Sequence, residues 1–301
     1  MSDPAQPFST IAIIGRYAGT GIAEPLERLA AFLTGRGHRV LLDAETAQLT
    51  PVPGYPAAPL AQLGRDAKLA IVVGGDGTML SIARKLAAFD VPLIGINQGR
   101  LGFLTDVALA DMESALAAML AGAYVEEART LLGATLARGV EAGGVQSALA
   151  LNDVVVNRGA QGGMIDCAVR IDGRFVYAMR ADGLIVATPT GSTAYALSAQ
   201  GPIVDPGVAA ILLVPVAPHA LTNRPIAVRD SVVIEIALLG GKDASLRCDG
   251  QENFPLVEGD SVVVRLAEHR VRLLHPKDHD HFAMLRRKLH WSETPEKLRP
   301  Q

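Results

Sequence analysis

The N-terminal part of the chain alternates between short apolar runs and stretches in which apolar residues recur at helical spacing. Residues Thr10–Ile14 and Leu69–Val73 are almost wholly apolar, as expected for strands covered on both faces of a parallel sheet. Between them, Glu24–Leu33 carries leucine and phenylalanine at helical spacing. This alternation of strands and helices predicts an open parallel α/β sheet. The pattern also predicts strands at Arg39–Leu42 and Pro92–Ile96 and helices at Thr78–Phe89 and Asp111–Leu120.

The pattern changes near Val125, after which short β-rich runs are separated by glycine and aspartate. Asp172-Gly173 lies between two such runs and is typical of a two-residue hairpin turn. A last amphipathic segment, Asp280–Leu289, predicts a C-terminal helix that returns to the first domain. The predicted strands of this part are Asp153–Val156, Cys167–Ile171, Arg174–Met179, Leu184–Ala187, Val232–Ile236 and Ser261–Leu266.

The length of the chain agrees with such a division, since 301 residues suffice for about two domains of ordinary size. We predict an N-terminal, Rossmann-like α/β domain made of residues 1–125 and 276–301. Residues 126–275 are predicted to form a β-sandwich-like domain.

Charge and cysteine content exclude several classes of function. The 28 basic and 31 acidic residues leave a net charge of −3, which gives no sign of a nucleic-acid or membrane partner. The two cysteines cannot form a disulfide framework or a CxxC metal site, and a reducing, cytoplasmic location fits best. The N-terminus lacks the pattern of a signal peptide, and the longest apolar runs are strand-sized.

A glycine-rich turn, Gly74-Gly75-Asp76-Gly77-Thr78, follows a predicted strand and opens a predicted helix. At this edge of a parallel sheet, backbone N–H groups and a helix N-terminus favour anionic ligands such as phosphate. A carboxylate repels phosphate, so Asp76 is better explained if it holds a divalent cation or accepts a proton from a substrate hydroxyl. The alternative is an aspartate that merely caps the helix.

A second polar segment runs from Asp182 to Tyr195 and carries four Ser/Thr hydroxyls within its last eight residues. This density suits hydrogen bonds to a purine edge, a ribose or a phosphate, although a Ser/Thr-capped helix start is the alternative. Asn152-Asp153 and Asp249-Gly250-Gln251 are weaker signals, because such sequences usually form turns. Asp278-His279-Asp280-His281 could suggest a metal site, but its place before the last helix favours a solvated cap region.

Taken together, the motifs resemble those of the bacterial NAD kinases over nearly the whole chain. Gly74–Thr78 looks like the family's GGDGT motif, and Thr188–Tyr195 matches its TPTGSTAY motif. Gly95–Leu104 and Pro218–Pro225 are similar to its GINxGxLGFL and PHxLxxRP segments, and Asn152-Asp153 stands where the family has Asn-Glu. The combination in this order is specific, whereas GGDG alone also occurs in lipid kinases and phosphofructokinases.

The resemblance implies an enzyme that transfers the γ-phosphoryl group of ATP to the adenosine 2′-hydroxyl of NAD, giving NADP and ADP. Asp76 would be the base, or a carboxylate linked to a divalent metal (Mg²⁺ or Mn²⁺), at that hydroxyl. Asn152 would contact the adenine and Asp153 the ribose hydroxyls. The residues that bind phosphate and ATP would be Gly74, Gly75, Gly77 and Thr78. The residues that bind NAD would be Asp76, Gly77, Asn152, Asp153, Arg180, Asp182, Thr190, Thr193, Ala194, Tyr195, Ser198 and Gln251.

Two positions limit what can be carried over from the family. Asp153 is about one methylene shorter than the usual glutamate, so a water-bridged contact to the ribose is an alternative to a direct one. Arg180 stands two residues before Asp182, where relatives from Gram-negative bacteria often carry arginine. In those relatives it accompanies a preference for NAD over NADH and for ATP over polyphosphate, and we predict the same preference here.

The resemblance also implies a homo-oligomer, a dimer or a tetramer, that assembles through the β-rich domain. Two alternative functions stay open. One is a lipid kinase of the diacylglycerol type, which fits less well because Thr188–Tyr195 and Asn152-Asp153 suit polar nucleotide contacts. The other is a non-catalytic NADP-binding sensor, against which the presence of Asp76 argues.

Overall fold

The computed structural model describes residues 7–15, 22–99, 102–138, 146–159 and 162–291. Its helices are α1 (Ala23–Thr34), α2 (Ala44–Leu49), α3 (Leu60–Asp66), α4 (Asp76–Leu86), α5 (Met112–Leu120), α6 (Tyr195–Ser198) and α7 (His281–Leu289). Its strands are β1 (Thr10–Gly15), β2 (Arg39–Asp43), β3 (Ala57–Ala58), β4 (Leu69–Gly74), β5 (Leu93–Asn97), β6 (Val107–Ala108), β7 (Tyr124–Ala137), β8 (Gln146–Ala150), β9 (Asp153–Asn157), β10 (Ile165–Ile171), β11 (Arg174–Ala181), β12 (Gly183–Ala187), β13 (Ala210–Val216), β14 (Ile226–Arg229), β15 (Ile234–Gly240), β16 (Ser245–Cys248), β17 (Glu252–Pro255) and β18 (Ser261–Pro276).

The chain folds into two compact units. The first contains Met1–Met79, Val91–Glu127 and Leu273–Gln301, and the second contains Leu80–Asp90 and Ala128–Arg272. Helix α4 and the long strands β7 and β18 therefore each run from one unit into the other. Among the described residues, no helix is both long enough and apolar enough to cross a membrane.

Parallel strands form the sheet of the first unit, in the order β5-β4-β1-β2-β3. Ala70 of β4 pairs with Ala12 of β1 on one side and with Leu93 of β5 on the other. The strands are apolar on both faces because helices cover the sheet, and Leu29 of α1 and Leu116 of α5 belong to the same apolar core as the strands. This arrangement confirms the predicted N-terminal parallel α/β fold.

Strand β4 carries the glycine-rich turn to the edge of this sheet. It ends at Gly74, and α4 begins at Asp76, two residues earlier than the predicted start at Thr78. The predicted helix ends differently as well, because Ala87–Phe89 forms a short 3₁₀ turn. Since parallel strands end at a common edge, the turn after β4 lies beside the segment that follows β5.

Two antiparallel sheets that share one apolar core form the second unit. One sheet has the order β14-β13-β12-β9-β16-β17, and the other contains β11-β10-β15-β18, with β7 paired to β18 and β8 paired to β7. Val154, Val186 and Ile211 enter the core from the first sheet, and Val169 and Ile236 enter it from the second. This packing of two sheet faces confirms the predicted β-rich, sandwich-like fold.

The C-terminal helix α7 belongs to the first unit, and its start is capped as predicted. The Asp280 carboxylate accepts a hydrogen bond from the backbone N–H of Phe282. The interpretation of the preceding histidines as solvated is wrong for His279, whose side chain is only 7% exposed. Its Nδ1 lies 2.8 Å from Oδ2 of Asp106, a partner that sequence spacing does not reveal.

Two short helices were not predicted, and two strands have ends that differ from the predicted ones. Helices α2 and α3 are too short to show a helical period, and α2 forms where Asp43 accepts a hydrogen bond from the N–H of Thr46. Strand β15 begins at Ile234 rather than at the predicted Val232. Strand β18 continues to Pro276, beyond the predicted end, because pairing with two different strands extends it.

The hairpin of β10 and β11 offers a test of local backbone strain. Asp172 and Gly173 form the predicted turn with φ values of 51° and 76°. We expect Gly173→Ala to lower the free energy of unfolding by about 1–2 kcal/mol, because a Cβ is strained at positive φ. No other atom lies within 4 Å of the position that this Cβ would take, so φ alone causes the loss.

Gly163→Ala is the matched control, since its surroundings are equally open and its φ is not positive. Urea unfolding of the full chain measures both variants. Equal stabilities of the two variants would show that the turn does not constrain the backbone in this way.

Candidate active site

The carboxylate of Asp76 is held by the segment that follows β5. Its Oδ2 accepts a hydrogen bond from the N–H of Phe103 at 2.8 Å. Its Oδ1 accepts hydrogen bonds from the N–H of Leu104 at 3.1 Å and from the N–H and hydroxyl of Thr105 at 3.2 and 3.0 Å. Four donors fix the position of the Asp76 carboxylate.

Gly102 allows this close approach of the segment to Asp76. A Cβ at position 102 would lie 1.8 Å from Oδ1 of Asp76, a distance that no side chain can occupy. The hydroxyl of Thr105 also accepts a hydrogen bond from the side-chain amide of Asn97, at the end of β5. Two residues of the predicted motif, Arg100 and Leu101, lie outside the described residues.

The glycine-rich turn presents the start of α4 beside Asp76. The carbonyl of Gly75 accepts hydrogen bonds from the N–H groups of Thr78 and Met79, which closes the first turn of the helix. Gly77 is exposed, whereas Thr78 is buried and packs against Gly74. Exposed backbone at a helix N-terminus gives an anionic group close access to the chain.

A cavity of about 310 Å³ in the second unit brings together part of the predicted NAD-binding set. Of that set, Asn152, Asp153, Ala194 and Tyr195 line it. Asn157, Arg247, Asp249 and Gly250 line it as well and were not among the predicted site residues. The volume is at the small end of the range for ligand pockets, and it suits one nucleoside.

Asp249 shapes this cavity by holding the start of β9. Its carboxylate accepts hydrogen bonds from three consecutive backbone N–H groups, those of Leu151, Asn152 and Asp153, at 2.8–3.0 Å. Nη1 of Arg84 lies 3.5 Å from its Oδ2, and both side chains are buried. The only signal in the sequence was the weak turn motif Asp249-Gly250, and both residues indeed have positive φ.

The buried carboxyl pair changes the protonation of Asp153. Burial and the neighbouring charge of Asp249 raise the pKa of Asp153 to about 7. Burial also raises the pKa of Asp249, although its three backbone N–H donors and Arg84 lower it. Near neutral pH, Asp153 can therefore donate a hydrogen bond when protonated or accept one from a hydroxyl when ionised.

Most hydroxyls of the segment after β12 donate to backbone carbonyls, two of them within the turn itself. Thr188 donates to the carbonyl of Leu151, Ser192 donates to the carbonyl of Pro189, and Thr193 donates to that of Thr190. Thr190 accepts a hydrogen bond from Nη1 of Arg129. In this structure these hydroxyls set the shape of the turn, and Ala194 and Tyr195 follow it into the cavity.

The remaining predicted residues do not line this cavity. Arg180 is 62% exposed on β11, and its Nε lies 3.9 Å from Oδ1 of Asp166. Asp182 accepts a hydrogen bond from Nε of Arg158 at 2.8 Å. Gln251 accepts one from Nη2 of Arg84, and Ser198 is exposed at the end of α6.

Family models match both parts of the chain. The ATP-NAD kinase N-terminal domain matches residues 13–124, and the ATP-NAD kinase C-terminal domain matches residues 151–275. The chain is 52% identical over 288 residues to an NAD kinase of Burkholderia thailandensis, covering 96% of each protein. It is 53% identical over 290 residues to an NAD kinase of Nitrosospira multiformis, covering 96% of this chain and 97% of that one.

Solved structures agree with these relatives. The chain is similar to an NAD kinase from Archaeoglobus fulgidus in complex with ATP, with a TM-score of 0.74 and 28% identity over 93% of this chain and 98% of that one. It also shares its fold with yeast NADH kinase complexed with NADH, with a TM-score of 0.82 and 23% identity over 100% of this chain and 95% of that one. These relatives support neither a lipid kinase nor a non-catalytic sensor.

The contact between Gly102 and Asp76 gives a prediction about stability. We expect Gly102→Ala to lower the free energy of unfolding by about 1–3 kcal/mol, because either the loop or the carboxylate has to move. Gly99→Ala in the same segment is the control, since its Cβ would meet only Oδ1 of Asn97, at 3.9 Å. Urea unfolding measures both, and a Gly102→Ala protein as stable as the control would contradict the described packing.

The raised pKa of Asp153 gives a prediction about pH. The folded chain keeps a proton up to about pH 7 that the unfolded chain releases near 3.8, so this carboxyl destabilises the fold as the pH rises. Relative to Asp153→Asn, the parent should lose about 1.4 kcal/mol of stability per pH unit between pH 5 and 7. Urea unfolding across this range checks the slope, and parallel pH profiles of the two proteins would refute it.

Proposed function

The chain belongs to the NAD kinase family, and we propose that Asp76 is the group on which its phosphoryl transfer from ATP to NAD depends. The reaction moves the γ-phosphoryl group of ATP to the adenosine 2′-hydroxyl of NAD and yields NADP and ADP. The observation that carries the proposal is the fixed carboxylate of Asp76 beside the N-terminus of α4. In this role the ionised carboxylate accepts the proton of the 2′-hydroxyl as the oxygen attacks phosphorus.

The phosphates of ATP are proposed to bind at the glycine-rich turn. Gly74, Gly75, Gly77 and Thr78 surround the start of α4, where the helix dipole and the backbone favour negative charge. Phosphoryl transfer requires mainly positioning and charge stabilisation rather than a protein nucleophile. The absence of net positive charge on the chain is consistent with phosphate binding by backbone groups.

A divalent cation, Mg²⁺ or Mn²⁺, is proposed as the partner of ATP. Within the described ranges, Oδ1 of Asp76 accepts three hydrogen bonds and Oδ2 accepts one, from Phe103, which leaves room at Oδ2 for a further contact. Asp76 therefore fits either the cation or the substrate hydroxyl at this oxygen. When bound, the cation supplies neutralisation of the phosphate charge.

The adenosine part of NAD is proposed to occupy the cavity of the second unit. Asn152 offers an amide for the adenine edge, and Asp153 offers a carboxyl group for the ribose hydroxyls. Ala194 and Tyr195 supply an apolar wall, and Tyr195 is 43% exposed. Asp249 acts through the backbone that it holds, so it is a positioning residue.

The other residues of the predicted set are proposed to complete NAD binding. Thr190 and Thr193 shape the turn that leads to the cavity. Arg180 is proposed to favour NAD over NADH and ATP over polyphosphate, as in relatives that carry arginine at this place. The members proposed for the rim of the NAD site are Asp182, Ser198 and Gln251.

Assembly and location complete the proposal. A homo-oligomer, dimer or tetramer, is proposed to form through the β-rich unit, where Phe175 and Val176 on the edge strand β11 are 59% and 39% exposed. Exposed apolar side chains on an edge strand favour pairing with another chain. A cytoplasmic location is supported by Cys167 and Cys248, which are free and buried.

Replacement of Asp76 tests the proposed role. We expect Asp76→Asn to bind NAD within a few-fold of the parent while turnover with ATP, Mg²⁺ and NAD falls by about 100-fold or more. NADP formation is followed with an NADP-specific coupled enzyme, and NAD affinity by calorimetry. An Asp76→Asn protein that turns over like the parent would overturn the assignment.

Two control variants separate chemistry from loop geometry. Asp66→Asn replaces an exposed carboxylate of the same unit and should leave turnover unchanged. Thr105→Val removes one donor to Asp76 but keeps the carboxylate, so its loss of turnover should be much smaller. If Thr105→Val were as inactive as Asp76→Asn, the loop rather than the carboxylate would be the decisive element.

A further inference from the structure

A buried cluster in the first unit has no part in the proposed phosphoryl transfer. Oδ2 of Asp106 lies 2.8 Å from Nδ1 of His275 and 2.8 Å from Nδ1 of His279. The exposed fractions of the three side chains are 5%, 1% and 7%. Three potential ligand atoms, two imidazole nitrogens and one carboxylate oxygen, thus lie within 4.8 Å of one another.

Two segments of the chain build this cluster, one at Asp106 and one at His275–His279. Asp106 directly follows Thr105, before the short strand β6. His275 lies near the end of β18, and His279 follows in a turn closed by a hydrogen bond from its N–H to the carbonyl of Pro276. Strand pairing and this turn hold the two imidazoles against each other, with ring centroids 4.1 Å apart.

The hydrogen bonds among the described residues leave polar atoms of the cluster unused. Oδ1 of Asp106 and Nε2 of His275 are buried and have no hydrogen-bond partner within the part of the chain that the structure describes. Buried polar groups without partners are rare and often mark a site for a water or an ion. As far as the described residues show, Oδ1 of Asp106 is therefore available to a water or an ion.

The carboxylate of Glu127 lies near the Nε2 atoms of both imidazoles, whereas Asp106 lies near their Nδ1 atoms. Oε2 of Glu127 lies 3.7 Å from Nε2 of His275, and its Oε1 lies 4.0 Å from Nε2 of His279. Histidines that bind a metal through one nitrogen usually direct the other N–H to a carboxylate or carbonyl. Without an ion, the 2.8 Å distances place the protons on both Nδ1 atoms, which donate to Asp106. With an ion bound, each imidazole would instead carry its proton on Nε2, on the side of Glu127, and direct the lone pair of Nδ1 at the ion.

The cluster also has an entry path. A cavity of about 780 Å³ in the first unit is lined by Asp106 and His279, together with Asp111, Asp278 and Asp280. An ion could reach Asp106 and His279 from this side, and a water could fill its remaining coordination position. The carboxylates of Asp106 and Glu127 supply two negative charges, which match a divalent cation.

We propose that Nδ1 of His275, Nδ1 of His279 and Oδ2 of Asp106 bind a divalent transition-metal ion of the Zn²⁺ class. Two nitrogens and one oxygen suit Zn²⁺ or Co²⁺, whereas Mg²⁺ and Ca²⁺ require mostly oxygen ligands. Metal–ligand bonds of about 2.0–2.2 Å require the three atoms to separate slightly from hydrogen-bonding distance. The rings, now inclined by 23°, turn apart to direct both lone pairs at one ion.

The site has a consequence for the segment that holds Asp76. Asp106 is the next residue after Thr105, which donates two hydrogen bonds to Asp76. An ion on Asp106 would fix this segment more firmly than hydrogen bonds alone. This site is separate from the proposed cation at ATP, since it uses neither Asp76 nor the glycine-rich turn.

Co²⁺ titration of the full chain, after removal of bound metal with a chelator, tests the proposal. We expect one equivalent of Co²⁺ to produce visible ligand-field bands and one equivalent of Zn²⁺ to abolish them. His279→Asn and Asp106→Asn should each weaken binding by about tenfold or more. Glu127→Gln should weaken it less, because Glu127 touches the ligands and not the ion.

His269→Asn is the control, because His269 is exposed and lies outside the cluster. It should leave the spectrum and the affinity unchanged. Circular dichroism and thermal unfolding establish that each variant is folded. If Asp106→Asn does not fold, the His279→Asn variant alone tests the proposal. Lack of the bands in the parent chain, or bands unchanged in His279→Asn, would overturn the proposal and leave a hydrogen-bonded cluster without a metal.

Discussion

One device recurs in both units: an aspartate that accepts hydrogen bonds from three consecutive backbone N–H groups of a distant segment. Asp76 accepts from residues 103–105, and Asp249 accepts from residues 151–153. Irregular segments have no partner strand to satisfy their amides, and an unsatisfied buried amide is costly. A charged carboxylate satisfies three amides at once, and in doing so it fixes the shape of the segment.

The two aspartates nevertheless differ in how many hydrogen-bond and charge partners their carboxylate oxygens have. Among the described residues, Oδ2 of Asp76 accepts one hydrogen bond, from Phe103, which is consistent with the role proposed for this oxygen. Asp249 is fully occupied by the backbone and by Arg84, and its charge acts on the neighbouring Asp153, whose pKa rises to about 7. The same contact therefore fixes a carboxylate in one unit and, through its charge, raises the pKa of a neighbouring carboxyl group in the other.

Some polar residues near the candidate site hydrogen-bond to the backbone, and others line the cavity. Residue type alone does not distinguish the two groups. Thr188, Ser192 and Thr193 resemble ligand-binding hydroxyls in the sequence, but all three donate to backbone carbonyls. Ser192 and Thr193 do so within their own turn, and Thr188 donates to Leu151. Asn152 and Asp153, which looked like an ordinary turn, line the cavity instead. Asp249 accepts hydrogen bonds from the backbone N–H groups of both residues, and the residues line the cavity beside it.

The sequence by itself determined the features that depend on neighbouring residues. Periodicity placed strand β4, the glycine-rich turn and helix α4, and Asp172-Gly173 placed a hairpin, because such preferences act over a few residues. Only the tertiary structure decided which distant residues meet. Asp106 and His275 are 169 residues apart, and Asp249 is 96 residues from Asp153. Such contacts arise from strand pairing and packing between distant segments. The local sequence pattern does not show which distant segments will pair.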